Sequence, residues 1–163
     1  MGVAMLISSA ATLTFSSGVG AATMGDQQAL SEAKTYLSTE PFSLQGLIGQ
    51  LEFGGYTTAQ ATYGATHSGA NWNKEALLDA KQYLSTDAFS MKGLIGQLEF
   101  SKFTAGQATY GVAHCGANWN TEAYKSAKQY LATESFSKSG LIGQLEFGGF
   151  TAAQATYGAN KAY

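Results

Sequence analysis

GLIGQLEF stands at Gly46–Phe53 and recurs at Gly93–Phe100 and Gly140–Phe147, so each copy begins 47 residues after the one before. The spacing extends beyond this stretch, because Trp72 and Trp119 are also 47 residues apart. Self-similarity at a fixed period of this size is typical of tandem supersecondary units that bury apolar faces within and between neighbours. The sequence therefore predicts an array with repeats at 23–73, 74–120 and 121–163, the third of them truncated.

Apolar residues within each repeat are spaced for helices rather than strands. A first helix is predicted over about 27–37, because Leu30, Ala33 and Leu37 recur at steps of three and four. Its copies are predicted at 76–84 and 123–131. A second helix begins after Ser43, a favourable N-cap, and ends at the glycine pair 54–55. Ser90 is the equivalent cap in the next repeat.

The third helix of each repeat is predicted to begin at a threonine. Thr57 is followed three residues later by Gln60, the pair expected of a capping box. Asn73 and Asn120 are expected to cap the first helix of the following repeat, and Trp72 to pack one repeat on another. The predicted fold is all-α, a tandem array of three helix-turn-helix repeats after an N-terminal export signal.

Residues 1–22 are read as that export signal. They carry no charged side chain and are rich in apolar and small hydroxyl residues. Small residues near Ala21 and Ala22 suit cleavage there. An uncleaved anchor helix is the alternative, although the serines and glycines make a poor membrane span. The predicted location is exported, extracellular or associated with the cell surface, with membrane proximity only through the signal or anchor.

Composition argues against a nucleic-acid partner. The nine basic residues are all Lys, eleven residues are acidic, and the formal net charge is −2. Without Arg the chain lacks the side chain that most often reads guanine edges. The predicted third helix, TTAQATYGAT at 57–66, also has no cation to neutralise phosphates. The helix-turn-helix shape therefore does not predict DNA binding, and a DNA-binding regulator is the least favoured class.

Catalysis and metal binding have little support in the sequence. His67 and His114 lie one period apart, without a nearby carboxylate to orient either ring. Cys115 is the single cysteine, so it forms no intramolecular disulfide, and its helix-end position indicates a partly buried thiol. We therefore expect no enzyme activity, no cofactor and no metal.

Several motifs in fixed order resemble the Ltp-type helix-turn-helix repeat. These are AK-x-YL, FS, GLI-x-QLEF, an aromatic residue followed by Thr, A-x-Y and W-N, at 33–73, again at 80–120 and in shortened form at 127–160. The family includes host cell surface-exposed lipoproteins of temperate phages. The resemblance implies superinfection exclusion, in which the protein stops another phage's DNA from entering by binding that phage's tail tape measure protein. The alternative is an exported protein-interaction or cell-wall-associated module with a different partner.

The chain departs from the family pattern in two places. The family's lipoproteins carry a Cys directly after the signal, but the region GVGAATMGD has none, so the sequence does not support a lipid anchor. The family's usual acidic residue is replaced by glycine at Gly49, Gly96 and Gly143, which implies weaker attraction of a basic partner.

Two sets of residues in the second helices are candidates for partner binding. The only carboxylates kept in all three QLEF stretches are Glu52, Glu99 and Glu146. They could form an acidic strip for a partner. We favour the other reading, in which each lies on a solvated helix flank or pairs with the Lys of AK in its own repeat: Lys34, Lys81 or Lys128. Glycines inside a helix lower its stability, so they serve either close packing or a shallow surface for another chain. We favour packing for Gly46 and leave both readings open for Gly49, Gly96 and Gly143.

Overall fold

The computed structural model describes residues 21–163, and over these residues the chain is all-α. The predicted export signal therefore lies almost entirely outside the described residues. Among residues 21–163, nine helices follow one another, three to each repeat, which confirms the predicted all-α fold class. Their bounds are α1 (Met24–Thr39), α2 (Leu44–Phe53), α3 (Thr58–His67), α4 (Trp72–Thr86), α5 (Met91–Phe100), α6 (Ala105–His114), α7 (Trp119–Thr133), α8 (Lys138–Phe147) and α9 (Ala152–Ala162). Within 21–163, none of these helices combines the length and apolar character required to cross a bilayer.

Local capping sets most helix starts where the sequence predicts them. The side chain of Ser43 accepts the N–H of Gly46 at 3.0 Å, and the equivalent serines cap α5 and α8. Thr57 and Gln60 form the predicted capping box at the start of α3, and α6 and α9 repeat it. Each bond joins residues three positions apart, which is why the sequence alone reveals it.

The predicted caps of α4 and α7 are wrong by two residues. Asn71, not Asn73, has extended backbone and accepts the N–H of Lys74, and Asn118 takes the same role in place of Asn120. The preceding Gly69 has a φ of +81°, so the chain reverses before Asn71 and the helix begins at Trp72. Both first helices are therefore longer at their N-terminal ends than predicted.

Each repeat has its own small core. In the first, Leu47 and Leu51 of α2 are fully buried against alanines of α1 and α3, and the other two repeats copy this arrangement. The first and third helices lie very close together, since a Cβ built on Gly64 would fall 2.6 Å from the carbonyl oxygen of Ala29. Gly111 and Gly158 make the same approach to Ala76 and Ala123. Leucines on one side and glycine-alanine contacts on the other thus close each three-helix unit.

Neighbouring repeats meet through the ends of their second helices. The Ser43 hydroxyl, which caps α2, donates to the carbonyl oxygen of Ser101 at the end of α5. Ser90 donates in the same way to Gly148 at the end of α8. The start of α2 therefore contacts the end of α5, and the start of α5 contacts the end of α8. Trp72 packs against the core of the first repeat, as predicted for a contact between repeats.

Candidate partner-binding surface

One side of every second helix faces away from the core. Residues three and four positions apart share a helix face. The last two turns of α2, α5 and α8 each present a Gly, a Glu and a Phe in that relationship, and we call each set a Gly-Glu-Phe face. The three faces consist of Gly49, Glu52 and Phe53; Gly96, Glu99 and Phe100; and Gly143, Glu146 and Phe147, all of them exposed.

The glycines of these faces have no packing role. No heavy atom lies within 4 Å of a Cβ built on Gly49, Gly96 or Gly143. Gly46 differs, because its Cβ would lie 3.0 Å from the Ser43 hydroxyl and near Ser101 of the next repeat. Packing thus accounts for Gly46, as predicted, whereas the other three leave open surface.

The glutamates lie on solvated helix flanks without ion pairs. Glu52 accepts a 2.6 Å hydrogen bond from Thr58, but alanine occupies the equivalent of Thr58 in the other two repeats. The ion pair found within residues 21–163 joins Lys125 to Glu122, so the expected pairing with Lys34, Lys81 and Lys128 does not occur. Each glutamate also lies in the last turn of its helix, where the helix dipole disfavours negative charge.

The phenylalanines are the residues that the sequence reasoning missed. Phe53, Phe100 and Phe147 are 89%, 77% and 89% exposed, more than any other large apolar side chain described. A helical wheel of the sequence predicts this exposure, because Phe53 follows the buried Leu51 by two residues and therefore points about 200° away from it. Treating GLIGQLEF as one apolar block hides the difference in exposure between the leucine and the phenylalanine.

In the second helices, negative charge lies in the last turn and any lysine lies in the first turn. α2 carries Glu52 and no lysine, whereas α5 and α8 each carry one lysine, Lys92 or Lys138, in the first turn. The carboxylate lies in the last turn, next to the phenylalanine. The charge beside each exposed ring within its own helix is therefore negative, although only α2 has a net negative charge.

The histidines and the cysteine are engaged locally. The Nδ1 of His67 donates to the carbonyl oxygen of Tyr63 at 2.9 Å while the two rings stack, and His114 and Tyr110 repeat this pair. Cys115 is half-buried, and its Sγ donates to the carbonyl oxygen of Val112. No group of three potential metal ligands is present among residues 21–163.

A separate, partly open pocket of about 330 Å³ lies at the junction of the first two repeats. Glu40 and Asp79 line it together with Ser43 and Tyr83. Burial, and secondarily the negative charge of Glu40, raises the pKa of Asp79 from its usual 3.8 to about 6. Ser126 replaces Asp79 in the third repeat, so this acidic pair belongs to one junction.

Comparison with known proteins agrees with the repeat structure. The family of the host cell surface-exposed lipoprotein matches three segments, residues 26–67, 71–115 and 118–161. The chain belongs to this family. These segments coincide with the three helical repeats.

A solved structure extends the comparison. The chain is similar to Ltp, a superinfection exclusion protein from the Streptococcus thermophilus temperate phage TP-J34, with 38% identity and a TM-score of 0.54. The alignment covers 56% of this chain and 96% of that one. No curated protein matches. The chain is thus a homologue of a superinfection exclusion protein.

Proposed function

We propose that the protein acts outside the host membrane in superinfection exclusion, by binding the tail tape measure protein of another phage and so stopping that phage's DNA from entering. The observation that carries this proposal is the 38% identity to Ltp over almost the whole of that chain. The three Gly-Glu-Phe faces support a binding role, since they are exposed and, within residues 21–163, their glycines fill no packing contact and their glutamates form no ion pair.

The partner-binding surface is proposed to lie on the second helices. Glu52, Glu99 and Glu146 supply carboxylates without ion pairs, and Gly49, Gly96 and Gly143 leave room for another chain beside them. A partner segment bearing lysine or arginine would find negative charge at one position in each repeat. Three equivalent positions on one chain also allow a long partner to bind more tightly than a single contact would permit.

The decisive experiment expresses the full chain in host cells and challenges them with a panel of related phages. Adsorption, the appearance of phage DNA inside the cell and plaque formation are measured in the same cultures. Normal adsorption with blocked DNA uptake is the expected result. Cell fractionation, with mass spectrometry of the mature N-terminus, tests export and cleavage near Ala21 or Ala22.

Unhindered DNA uptake by every phage, with the protein verified outside the membrane, would contradict the proposal. The exported interaction or cell-wall-associated module would then be the better description. Binding to purified cell wall would be its direct test.

A further inference from the structure

Three features of each Gly-Glu-Phe face work against the stability of the isolated fold. A glycine inside a helix favours the unfolded chain, a glutamate in the last turn opposes the helix dipole, and a phenylalanine exposed to water gains nothing from burial. No packing contact of Gly96 and no ion pair of Glu99 offsets these effects in the second repeat. Their recurrence in all three repeats indicates that the face serves contact with another molecule.

We propose that each Gly-Glu-Phe face binds an amphipathic α-helix of a partner protein, with the phenylalanine as its apolar anchor. An apolar side chain of the partner packs on the ring of Phe53, Phe100 or Phe147, and a neighbouring lysine or arginine meets the adjacent carboxylate. This inference rests on the proposed function, in which the partner is a phage tail protein, and it assigns the type of segment that is recognised.

The chemistry of the face favours this occupant over two others. The glycine, with open space above it, lets the backbone of a second helix approach closely, since side chains set the distance between helices. The carboxylate and the negative end of the helix dipole together favour a cation, most strongly at α2, because Lys102 lies just after Phe100 and the side chain of Lys92 lies next to Gly149 at the other two faces. An anionic membrane surface would be repelled by the same carboxylate, and a second copy docked face to face would bring two glutamates together.

Contacts between the ends of the second helices link the three faces. Each of these helices has ten residues and is therefore about 15 Å long. The hydrogen bonds from Ser43 to Ser101 and from Ser90 to Gly148 join the start of one second helix to the end of the next. Three faces on one chain let a partner that carries several such helices bind at more than one of them.

A defined peptide tests the inference without phage. The ¹⁵N-labelled protein is titrated with a synthetic amphipathic helix of leucine and lysine, and a leucine-glutamate helix of equal length is the control peptide. We expect saturable shifts of backbone amides at 49–53, 96–100 and 143–147 with the basic peptide only. Phe53→Ser, Phe100→Ser and Phe147→Ser combined should weaken binding by about tenfold or more.

Matched variants distinguish specific binding through the phenylalanines from a general effect of exposed apolar side chains. Met24→Ser and Leu78→Ser remove apolar side chains that are 72% and 43% exposed but lie on first helices, and they should leave affinity unchanged. Circular dichroism should be the same for all variants. Equal affinity of the triple variant and the wild type, or shifts confined to other helices, would overturn the inference.

Two further measurements test the other occupants. Binding to phosphatidylglycerol vesicles, or self-association in sedimentation, that disappears in the triple phenylalanine variant would overturn the helix assignment. If the wild type binds the peptide at these faces but excludes no phage, the binding mode is supported and the proposed function fails. If it excludes phages and the triple variant excludes them equally well, the function is supported and the inference fails.

Discussion

The hydroxyl of Ser43 donates a 2.6 Å hydrogen bond to the carbonyl oxygen of Ser101, 58 residues further along the chain. The hydroxyl oxygen of Ser43 also accepts the N–H of Gly46 and so caps α2. One buried side chain thus begins a helix and joins two repeats. Ser90 does the same at the second junction, whereas Ser137 caps α8 and its hydroxyl is otherwise close only to Ser139.

Replacing these serines by alanine distinguishes the stability that the helix cap contributes from the stability that the hydrogen bond between repeats contributes. Ser137→Ala removes a cap alone and should lower the free energy of unfolding by about 1 kcal/mol. Ser43→Ala also leaves the Ser101 carbonyl without its donor, and its effect should be about 2 kcal/mol. Urea denaturation followed by circular dichroism measures both. Equal losses for the two variants would show that the hydrogen bond between repeats adds no stability.

Glycine-to-alanine substitutions should have opposite effects at two positions in one repeat. In Gly111→Ala the new Cβ would lie 2.6 Å from the carbonyl oxygen of Ala76, so α4 and α6 must separate, at a cost of about 1–3 kcal/mol. Gly96→Ala meets no atom within 4 Å and should stabilise α5 by about 1 kcal/mol. Melting temperatures of the two variants test the prediction. A stabilised Gly111→Ala would contradict the close crossing of the two helices.

Stability should depend on the ionisation of Asp79. Its pKa is raised from 3.8 to about 6 in the folded protein, so the folded state holds this proton more tightly than the unfolded state. The contribution of Asp79 to stability therefore falls as pH rises from about 4 to about 6, and it stays low at higher pH. Asp79→Asn should be more stable than the wild type at pH 7, and this advantage should vanish near pH 4.

The control for this experiment is the neighbouring carboxylate. Glu40→Gln removes the secondary cause of the shift, so the pH dependence that Asp79 contributes should become smaller without disappearing. Burial also raises the pKa of Glu75, whose contribution has the same sign, so the comparison must be made between variants. Urea titrations of each variant from pH 4 to pH 8 measure the free energy of unfolding for this comparison. An Asp79→Asn curve parallel to that of the wild type would contradict the prediction.

Charge reversal on the second helices should impair exclusion without unfolding the protein. Glu52→Lys, Glu99→Lys and Glu146→Lys combined place cations in the last turns, where the helix dipole favours them, so helicity should be retained. Exclusion of a sensitive phage, measured as plaque number and DNA uptake, should weaken. The control reverses Glu32, Glu40 and Glu134, which lie on or at the ends of first helices. Equal exclusion by the two triple variants would remove the acidic-strip hypothesis.

The sequence by itself determined the repeat, its three helices and most of their boundaries. The 47-residue period is visible as repeated letters, and the caps at Ser43 and Thr57 each depend on residues three positions apart. Such side-chain-to-backbone bonds form wherever the local pattern occurs, so a linear reading finds them. The family was readable for the same reason, because its motifs keep a fixed order within each repeat.

Only the tertiary structure decided which surfaces remain open. The absence of an ion pair between Glu52 and Lys34, and the exposure of Phe53, depend on how helices from distant parts of the chain are placed. So does the contact between the ends of the second helices, because the hydrogen bond between Ser43 and Ser101 spans 58 residues. Local propensity carries no information about contacts between residues far apart in sequence, whereas packing determines them.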